Sequence, residues 1–371
     1  MKILHVVAGL AKSGGGTSEV VPRLCEALVA SGNEVRLRTV DMGTLSDAAV
    51  RAARCGVDFT ACRRSSGILS RLSYSSELGL ALDQDVRWAD VVHLHGLWEA
   101  PCWMAAFRAR AARVPYVVMP HGFLEPERLK ISAIKKKVVG FLFDKPVLRR
   151  ANGIVATSGS EVEGIRGYGL HQQVHIMPIG LDIEKYRVSM HQGKTLLYFS
   201  RITPVKGLDL LAEAWGAMDR KGWKLLIVGP DDRGYTEVAR GLFAAKCPAG
   251  SYEFRGPVFG DEKYALLGSV DAMVLPTRSE NWSIAVAEGM ASGLPVVCTK
   301  GAPWECLETM HAGWWVDVAV RGIRQAMEEL VSSDRAARVQ MGQNGRRWVE
   351  DNLSWPHIVK EMVGFYRTVM C

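Results

Sequence analysis

Residues 272–299 constrain the fold more than any other part of the sequence, because four elements follow one another there without a gap. An apolar run and a polar turn lead to Ser283, a residue type that caps helices. Ile284–Ala291 continues as a helix, which Gly293 ends, and a second apolar run follows. This order predicts a doubly wound parallel sheet, in which ligands bind beyond the carboxyl ends of the strands.

Two carboxylates belong to this stretch, Glu280 in the turn and Glu288 inside the helix. The backbone N–H groups at the start of the helix favour an anion. A capping acid and a solvated helix glutamate are the ordinary alternative. The small residues of the same helix let it approach the sheet closely and favour a ligand site instead. The residues at the helix start are Asn281, Trp282 and Ser283.

The complete pattern resembles a family signature. Glu280, seven residues, Glu288 and then EGMASGLPVV are similar to the motif of retaining GT-B glycosyltransferases of the large bacterial group 1 (family four) type. The resemblance implies an α/β fold with two Rossmann-like parallel-sheet domains facing across a cleft. It also implies that Glu288 binds ribose hydroxyls, that Glu280 binds the sugar, and that residues 281–283 contact the donor.

A glycine-rich turn follows the first predicted strand, at residues 2–9, and precedes a helix predicted at 17–31. Gly15 and Gly16 bring backbone N–H groups close to a ligand there, although most such turns are only tight turns. In the family this loop lies under the diphosphate of the donor.

Histidines mark the ends of two further strands in the first half. His93 and His95 share one face of a strand, since side chains alternate. No third ligand stands near them in sequence, so we expect them to line the strand end without binding metal. His121 precedes a glycine at the end of the next strand. The resemblance to the family's PHG turn implies that His121 contacts the transferred sugar.

Two cations in the second half stand at a strand end beside a helix start. Arg201 and Lys206 suit a diphosphate, although two exposed basic residues are the ordinary interpretation. The segment SRITPVKGLDLL is similar to the family motif whose arginine and lysine hold the leaving nucleotide diphosphate. The resemblance further implies that backbone groups near Val258 receive the nucleobase.

We expect no metal and no cofactor. Asp83 and Asp85 form the only Asp-x-Asp sequence that comes into question, and we predict that they lie in a solvated turn. Arg201, Lys206 and the helix start supply positive charge to a departing phosphate without a metal.

A basic and apolar segment at 125–150 has two interpretations. It is either a solvated helix face or a surface that docks on anionic lipid, near a lipid-linked acceptor. The net charge of +7 agrees with an anionic partner, but no interleaving of aromatic and basic residues indicates nucleic acid. The candidate membrane or acceptor contacts are Lys130, Lys135, Lys136 and Lys137.

The 8 cysteines form no CxxC pair and are expected to be buried free thiols, typical of a reducing compartment. With no recognisable signal peptide, we expect a cytoplasmic protein, in peripheral contact with the inner membrane face if the basic segment docks. We predict domains at 1–185 and 186–353 and a helix at 354–371 that returns to the first domain.

The sequence therefore predicts a hexosyltransferase that moves sugar from a UDP- or GDP-linked donor to a glycan acceptor. A lipid-linked acceptor in lipopolysaccharide, O-antigen, capsule or exopolysaccharide synthesis fits the family best. Two alternatives stay open: a nucleotide-sugar epimerase of similar fold, and a non-catalytic protein that binds nucleotide sugars.

Overall fold

The computed structural model describes residues 1–12, 16–124, 139–188 and 193–371. They form two compact units, one of residues 1–180 and 355–371, the other of residues 181–354. Each unit is a parallel sheet with helices packed against it, which confirms the predicted fold class. Among the described helices, none combines the length and the apolar character that crossing a bilayer requires.

The first unit is built on a sheet with the strand order β3-β2-β1-β4-β5-β6-β7, in which every pairing is parallel. Its central strands are fully buried apolar runs, as parallel strands covered on both faces require. The strands are β1 Lys2–Gly9, β2 Glu34–Val40, β3 Asp58–Cys62, β4 Val91–His95, β5 Tyr116–Met119, β6 Gly153–Ala156 and β7 Val174–Ile176.

The helices of the first unit connect these strands or cover them. They are α1 Gly16–Ala30, α2 Asp47–Arg54, α3 Ser76–Trp88, α4 Ala100–Ala112, α5 Lys145–Arg149, α6 Gly159–Gly167 and α14 Trp355–Met370, with a 3-10 helix at Ile68–Leu72 and a π-helical turn at Gly140–Asp144. One face of the sheet packs on α3 and α4. The other packs on α1 and α14, whose Tyr366 is fully buried.

The second unit contains a sheet with the strand order β10-β9-β8-β11-β12-β13, again entirely parallel. Its strands are β8 Thr195–Phe199, β9 Lys224–Val228, β10 Tyr252–Arg255, β11 Ala272–Leu275, β12 Val296–Thr299 and β13 Gly313–Val316. Its helices are α7 Leu208–Ala217, α8 Tyr235–Lys246, α9 Gly260–Leu267, α10 Ile284–Ala291, α11 Cys306–Thr309, α12 Val320–Ser332 and α13 Arg335–Leu353, with 3-10 helices at Ile183–Lys185 and Pro204–Lys206.

Both sheets reverse their strand order once, and the reversal positions the candidate sites. In the first unit the order turns between β1 and β4, and in the second between β8 and β11. The loops after these neighbouring strands run in opposite directions and leave a crevice at the carboxyl edge, where doubly wound folds bind ligands.

Two expectations are wrong. Asp83 and Asp85 lie inside α3 rather than in a solvated turn, and Asp85 is buried, where its carboxylate accepts hydrogen bonds from Arg38 at 2.6 and 3.2 Å. Asp85 therefore holds the guanidinium of Arg38, whereas Asp83 is exposed on α3. The cysteines are free thiols, but Cys55 and Cys371 are exposed.

Candidate functional site

Three of the predicted donor-site residues of the second unit lie in the loops after the two strands at which its strand order reverses. Arg201 and Lys206 follow β8, and Glu280 lies in the loop after β11. Arg201 is exposed, whereas Lys206 is 9% exposed. The topology thus brings together two segments that are more than seventy residues apart in sequence.

The two loops are held against each other by their backbones. The N–H of Arg278 donates to the carbonyl of Val205 at 2.8 Å, and the Arg278 guanidinium forms a bidentate pair with Asp209 at 2.8 and 2.6 Å. Gly207 has a φ of 72°, and a Cβ there would collide with the carbonyl oxygen of Pro276. Glycine is therefore required where the loops cross.

Lys206 and Glu280 form an ion pair and hydrogen bond between their side chains. Both side chains are mostly buried, at 11% and 19% exposure. The backbone N–H of Glu280 also donates to Gly301 at 2.7 Å, which fixes the loop that carries the carboxylate.

Glu288 projects from α10 into a second polar cluster. Its Oε1 accepts a hydrogen bond from the Tyr186 hydroxyl at 2.9 Å and another from Lys263 Nζ at 2.6 Å. The Lys263 ammonium also lies 5.1 Å from the ring centre of Tyr264. Burial, together with the adjacent Glu288 carboxylate, raises the pKa of Tyr186, so the phenol remains a hydrogen-bond donor.

The start of α10 differs from the expected cap. Ser283 occupies the N-cap position, but its backbone is left-handed, with a φ of 70°, and its side chain makes no capping hydrogen bond. Ser283 is therefore the N-cap residue, as predicted, but it lacks the side-chain hydrogen bond that this residue type usually supplies. Within the described residues, the buried Ser283 hydroxyl and the Trp282 indole N–H have no hydrogen-bond partner. A ligand bound at this helix start would find unsatisfied donors there.

Trp304 packs against Trp282, and its indole N–H donates a hydrogen bond to the backbone carbonyl of Trp282. The two rings lie 4.6 Å apart between centroids.

The remaining predicted contacts are placed as follows. Val258, in the turn after β10, is buried, and Asn281 is partly buried in the loop before α10. Gly16 begins α1 in the first unit, one residue earlier than predicted. Five predicted contacts lie outside the described residues: Gly15, Lys130, Lys135, Lys136 and Lys137.

In the first unit, His121 belongs to a group of four histidines. His5 Nδ1 lies 2.9 Å from His95 Nε2, and His95 Nδ1 lies 3.0 Å from His121 Nε2. His93 stacks on His95 with 4.2 Å between ring centroids, and its Nδ1 lies 2.6 Å from the Tyr366 hydroxyl. Rather than ending a strand in an open position, His93 and His95 are buried at 0% and 1% exposure.

Burial keeps these imidazoles neutral. It lowers the pKa of His5 to about 3 and the pKa of His121 to about 4. Burial, reinforced by the neighbouring histidines, lowers the pKa of His93 and of His95 well below the usual value. Each ring therefore carries one hydrogen and one lone pair at neutral pH.

The structure places a third potential ligand beside His93 and His95 that is not near them in sequence. His5 lies on the adjacent strand β1, paired in register with His93. Nitrogens of His5, His93 and His95 all lie within 4.8 Å of one another. The contact depends on strand pairing, so only the order and register of β1 and β4 would have revealed it.

His121 itself sits in a strained turn that a buried glutamate supports. His121 has a φ of 56° and Gly122 a φ of 75°. The Glu161 carboxylate accepts hydrogen bonds from the N–H of Gly122 at 2.5 Å and from the N–H of Thr157 at 2.7 Å. Glu161 is fully buried in α6. Sequence analysis missed Glu161, as it missed Tyr186 and Lys263, because nothing in their local patterns indicates a role.

Comparison with solved structures identifies the fold class. Sucrose-phosphate synthase from Thermosynechococcus elongatus superposes with a TM-score of 0.72 at 19% identity, covering 100% of this chain and 99% of that one. Anabaena HepE, solved in complex with UDP, gives a TM-score of 0.76 at 16% identity, covering 99% and 100%. The chain therefore has the GT-B glycosyltransferase fold.

Family models then identify the family. The Glycosyl transferase 4-like domain matches residues 15–180, and the Glycosyl transferases group 1 model matches residues 193–333. The chain belongs to the glycosyltransferase family that combines these two domains.

Several relatives with a similar sequence are mannosyltransferases. A GDP-mannose-dependent alpha-(1-6)-phosphatidylinositol monomannoside mannosyltransferase of Mycobacterium tuberculosis is 29% identical over 224 residues, 54% of this chain and 57% of the relative. That match spans little more than half of the relative's length. A GDP-mannose:cellobiosyl-diphosphopolyprenol alpha-mannosyltransferase of Xanthomonas oryzae pv. oryzae is 28% identical over 315 residues, 82% of this chain and 80% of the relative.

Proposed function

We propose that this protein is a retaining, metal-independent glycosyltransferase that transfers mannose from GDP-mannose to a lipid-linked glycan. The main support for this proposal is the arrangement of charged and polar groups at the strand-order reversal of the second unit. Arg201, Lys206 and the start of helix α10, with its unsatisfied buried donors, follow β8 and β11, the position where doubly wound sheets bind nucleotides.

The proposed mechanism is based on stabilisation of the negative charge that develops on the leaving diphosphate. Breaking the bond between a sugar and a diphosphate leaves negative charge on the departing phosphate, which the enzyme must stabilise more in the transition state than in the ground state. Arg201 and Lys206 supply two cations, and the Ser283 hydroxyl and Trp282 indole supply unsatisfied donors. Hydrogen bonds to charged groups contribute about 1.5–3 kcal/mol each, so four such contacts provide a substantial part of the needed stabilisation without metal.

The remaining residues have complementary roles in this proposal. Glu288, already oriented by Tyr186 and Lys263, binds the ribose hydroxyls, and Glu280 binds hydroxyls of the sugar. Backbone groups near Val258 receive the base. Gly15 and Gly16 approach the diphosphate, and His121 contacts the sugar.

The donor and the acceptor class are inferred from the relatives. Both mannosyltransferases above carry GDP-mannose in their names, and their named acceptors are a phosphatidylinositol mannoside and a diphosphopolyprenol-linked sugar. Docking on anionic membrane through Lys130, Lys135, Lys136 and Lys137 belongs to the same proposal. Phe141 and Leu142, which follow that segment, are 69% and 56% exposed.

The deciding experiment incubates the protein with GDP-mannose or UDP-sugars and polyprenol-linked glycans, with and without EDTA. We expect mannosyl transfer from GDP-mannose that EDTA does not reduce, and an α-anomeric product by NMR, the configuration of the donor. An inverted product, or activity lost to EDTA and restored by manganese, would contradict the retaining or the metal-free part respectively.

The alternatives and the membrane contact need separate controls. An epimerase would convert the nucleotide sugar without acceptor, and a binding protein would raise the melting temperature with GDP-mannose but never turn it over. Co-sedimentation with phosphatidylglycerol vesicles tests the docking segment. Replacing Lys135, Lys136 and Lys137 with Glu should abolish binding to the vesicles. Unchanged binding would refute membrane docking through this segment.

A further inference from the structure

Three of the four clustered histidines of the first unit, His5, His95 and His121, form a directed chain, and its geometry follows from strand register. His5 on β1 pairs with His93 on β4, Val7 pairs with His95, and His95 pairs with Met119 on β5. His121 follows two residues after Met119, in the turn beyond β5, where its Nε2 lies 3.0 Å from His95 Nδ1. His5, His95 and His121 therefore lie on a diagonal that rises across three strands to the carboxyl edge of the sheet.

Each link of the chain contains one hydrogen. The nitrogens of neighbouring rings lie 2.9 and 3.0 Å apart, which is hydrogen-bond distance. A tetrahedral zinc with bonds of 2.0–2.1 Å would separate its ligand nitrogens by about 3.3 Å. The observed separations therefore favour hydrogen-bonded imidazoles over a metal-ligand set.

Because every ring is neutral, the tautomers are coupled. A neutral imidazole that accepts at one nitrogen must carry its hydrogen on the other. If His5 donates to His95, then His95 donates to His121, and the remaining nitrogen of His121, Nδ1, carries a hydrogen. If the direction is reversed, His121 Nδ1 presents a lone pair.

The buried end of the chain selects the direction. His5 Nε2 is buried and has no hydrogen-bond partner among the described residues. In proteins, a buried N–H without a partner is rarer than a buried acceptor without one. The hydrogen of His5 is therefore expected on Nδ1, which points toward His95. Of the three rings, only His121 retains appreciable exposure.

We propose that His5 and His95 are positioning residues that fix the tautomer of His121, so that His121 Nδ1 donates a hydrogen bond to the sugar of the donor substrate. This inference rests on the proposed function, in which His121 contacts that sugar. It adds that the histidine acts as a neutral donor, whose orientation is set from within the sheet. His93 stacks on His95 and is hydrogen-bonded to the hydroxyl of Tyr366, so it holds the His95 ring in place.

The test compares two isosteric variants, His95→Asn and His95→Leu. The asparagine amide lies near the position of Nδ1 and can still donate to His121, whereas leucine cannot. Both lose the link to His5, so their difference isolates the donated hydrogen. Imidazole nitrogen shifts of the 15N-histidine-labelled full chain report the tautomer, and His121→Gln assigns the signal.

We expect the Nδ1–H tautomer of His121 in the wild type and in His95→Asn, and the Nε2–H tautomer in His95→Leu. Relative to His95→Asn, His95→Leu should lose about tenfold in kcat, the effect of one hydrogen bond, with little change in KM for the nucleotide sugar. His5→Leu should shift the tautomer in the same direction if His95→Leu fails to fold.

Several results would overturn the inference. An Nε2–H tautomer in the wild type, an unchanged tautomer in the folded leucine variants, or a stoichiometric metal in the purified protein would each refute the chain. If His95→Asn and His95→Leu have equal kcat values, the histidine chain does not act on the sugar through His121. The NMR measurement does not need turnover, so absent transfer by the wild type would count against the proposed function alone.

Discussion

The ammonium of Lys206 and the carboxylate of Glu280, 74 residues apart in sequence, form an ion pair where β8 and β11 separate. Both residues have proposed roles toward the same donor, one toward its diphosphate and one toward its sugar. In the structure the two side chains pair with each other. Under the proposed function, a bound diphosphate would therefore replace Glu280 as a partner of Lys206.

This exchange predicts the effect of Glu280→Gln. The amide keeps the shape of the side chain but removes the negative charge that competes with a diphosphate. We expect GDP to bind about fivefold more tightly, an effect of about 1 kcal/mol, while mannosyl transfer falls. Calorimetric titration with GDP and steady-state kinetics measure the two effects.

Glu237→Gln is the matched control, because it changes the net charge equally at an exposed side chain of α8. It should leave both quantities unchanged. Weaker or equal GDP binding by Glu280→Gln would mean that the ion pair does not compete with the diphosphate.

A second prediction concerns Glu288 and the ribose. If its carboxylate binds the ribose hydroxyls, wild-type protein should bind 2′,3′-dideoxy-GDP about 10- to 100-fold more weakly than GDP, since hydrogen bonds to a charged group are worth about 1.5–3 kcal/mol. In Glu288→Ala the two nucleotides should bind equally. A preference for GDP that persists in Glu288→Ala would assign the ribose contact to other residues.

Much of this architecture was accessible from sequence because it depends on local patterns. The helix at Ile284–Ala291 and the strand at Lys2–Gly9 have the predicted bounds, since apolar runs and turn residues define them. The convergence of Lys206 with Glu280 follows from topology, because parallel strands end at one edge.

Contacts that depend on strand register or on distant packing were not accessible. His5 and His95 are 90 residues apart and meet only through the pairing of β1 with β4. Tyr366 reaches His93 across 273 residues because α14 packs on this face of the sheet. The left-handed backbone of Ser283 overrides its preference to cap a helix, since that preference assumes an extended conformation.

The buried histidines predict acid sensitivity. Their pKa values lie well below the ordinary 6.5, at about 3 for His5 and about 4 for His121, so the unfolded chain binds more protons below pH 6.5. Stability is then lost as pH falls. From pH 7 to pH 5, each such histidine should lower the free energy of unfolding by about 2 kcal/mol.

Urea unfolding of His5→Gln at both pH values checks this prediction. The loss between pH 7 and pH 5 should be smaller than in the wild type by about 2 kcal/mol. His171→Gln, at an exposed position, should behave as the wild type. Identical losses in His5→Gln and the wild type would show that His5 does not contribute to the acid sensitivity.

For Asp144 we predict the opposite dependence of folding stability on pH. Its Oδ1 accepts hydrogen bonds from the Trp98 N–H at 2.9 Å and from the Trp103 indole at 3.0 Å, but burial outweighs them and raises its pKa to about 6. Between pH 4 and pH 6 the unfolded carboxyl loses its proton while the folded one keeps it. Stability therefore falls as pH rises, by about 2 kcal/mol between pH 4 and pH 6 and by about 3 kcal/mol across the whole titration, at 1.4 kcal/mol per pKa unit.

Asp144→Asn removes this titration, so its stability relative to the wild type should rise by about 2 kcal/mol from pH 4 to pH 7. The amide adds an unsatisfied donor in place of Oδ2, but that cost is the same at every pH. Asp58→Asn provides a control of opposite sign, because the Arg38 guanidinium lowers the pKa of Asp58. A stability difference between Asp144→Asn and the wild type that does not vary with pH would mean that the buried carboxyl is ionised over the whole range.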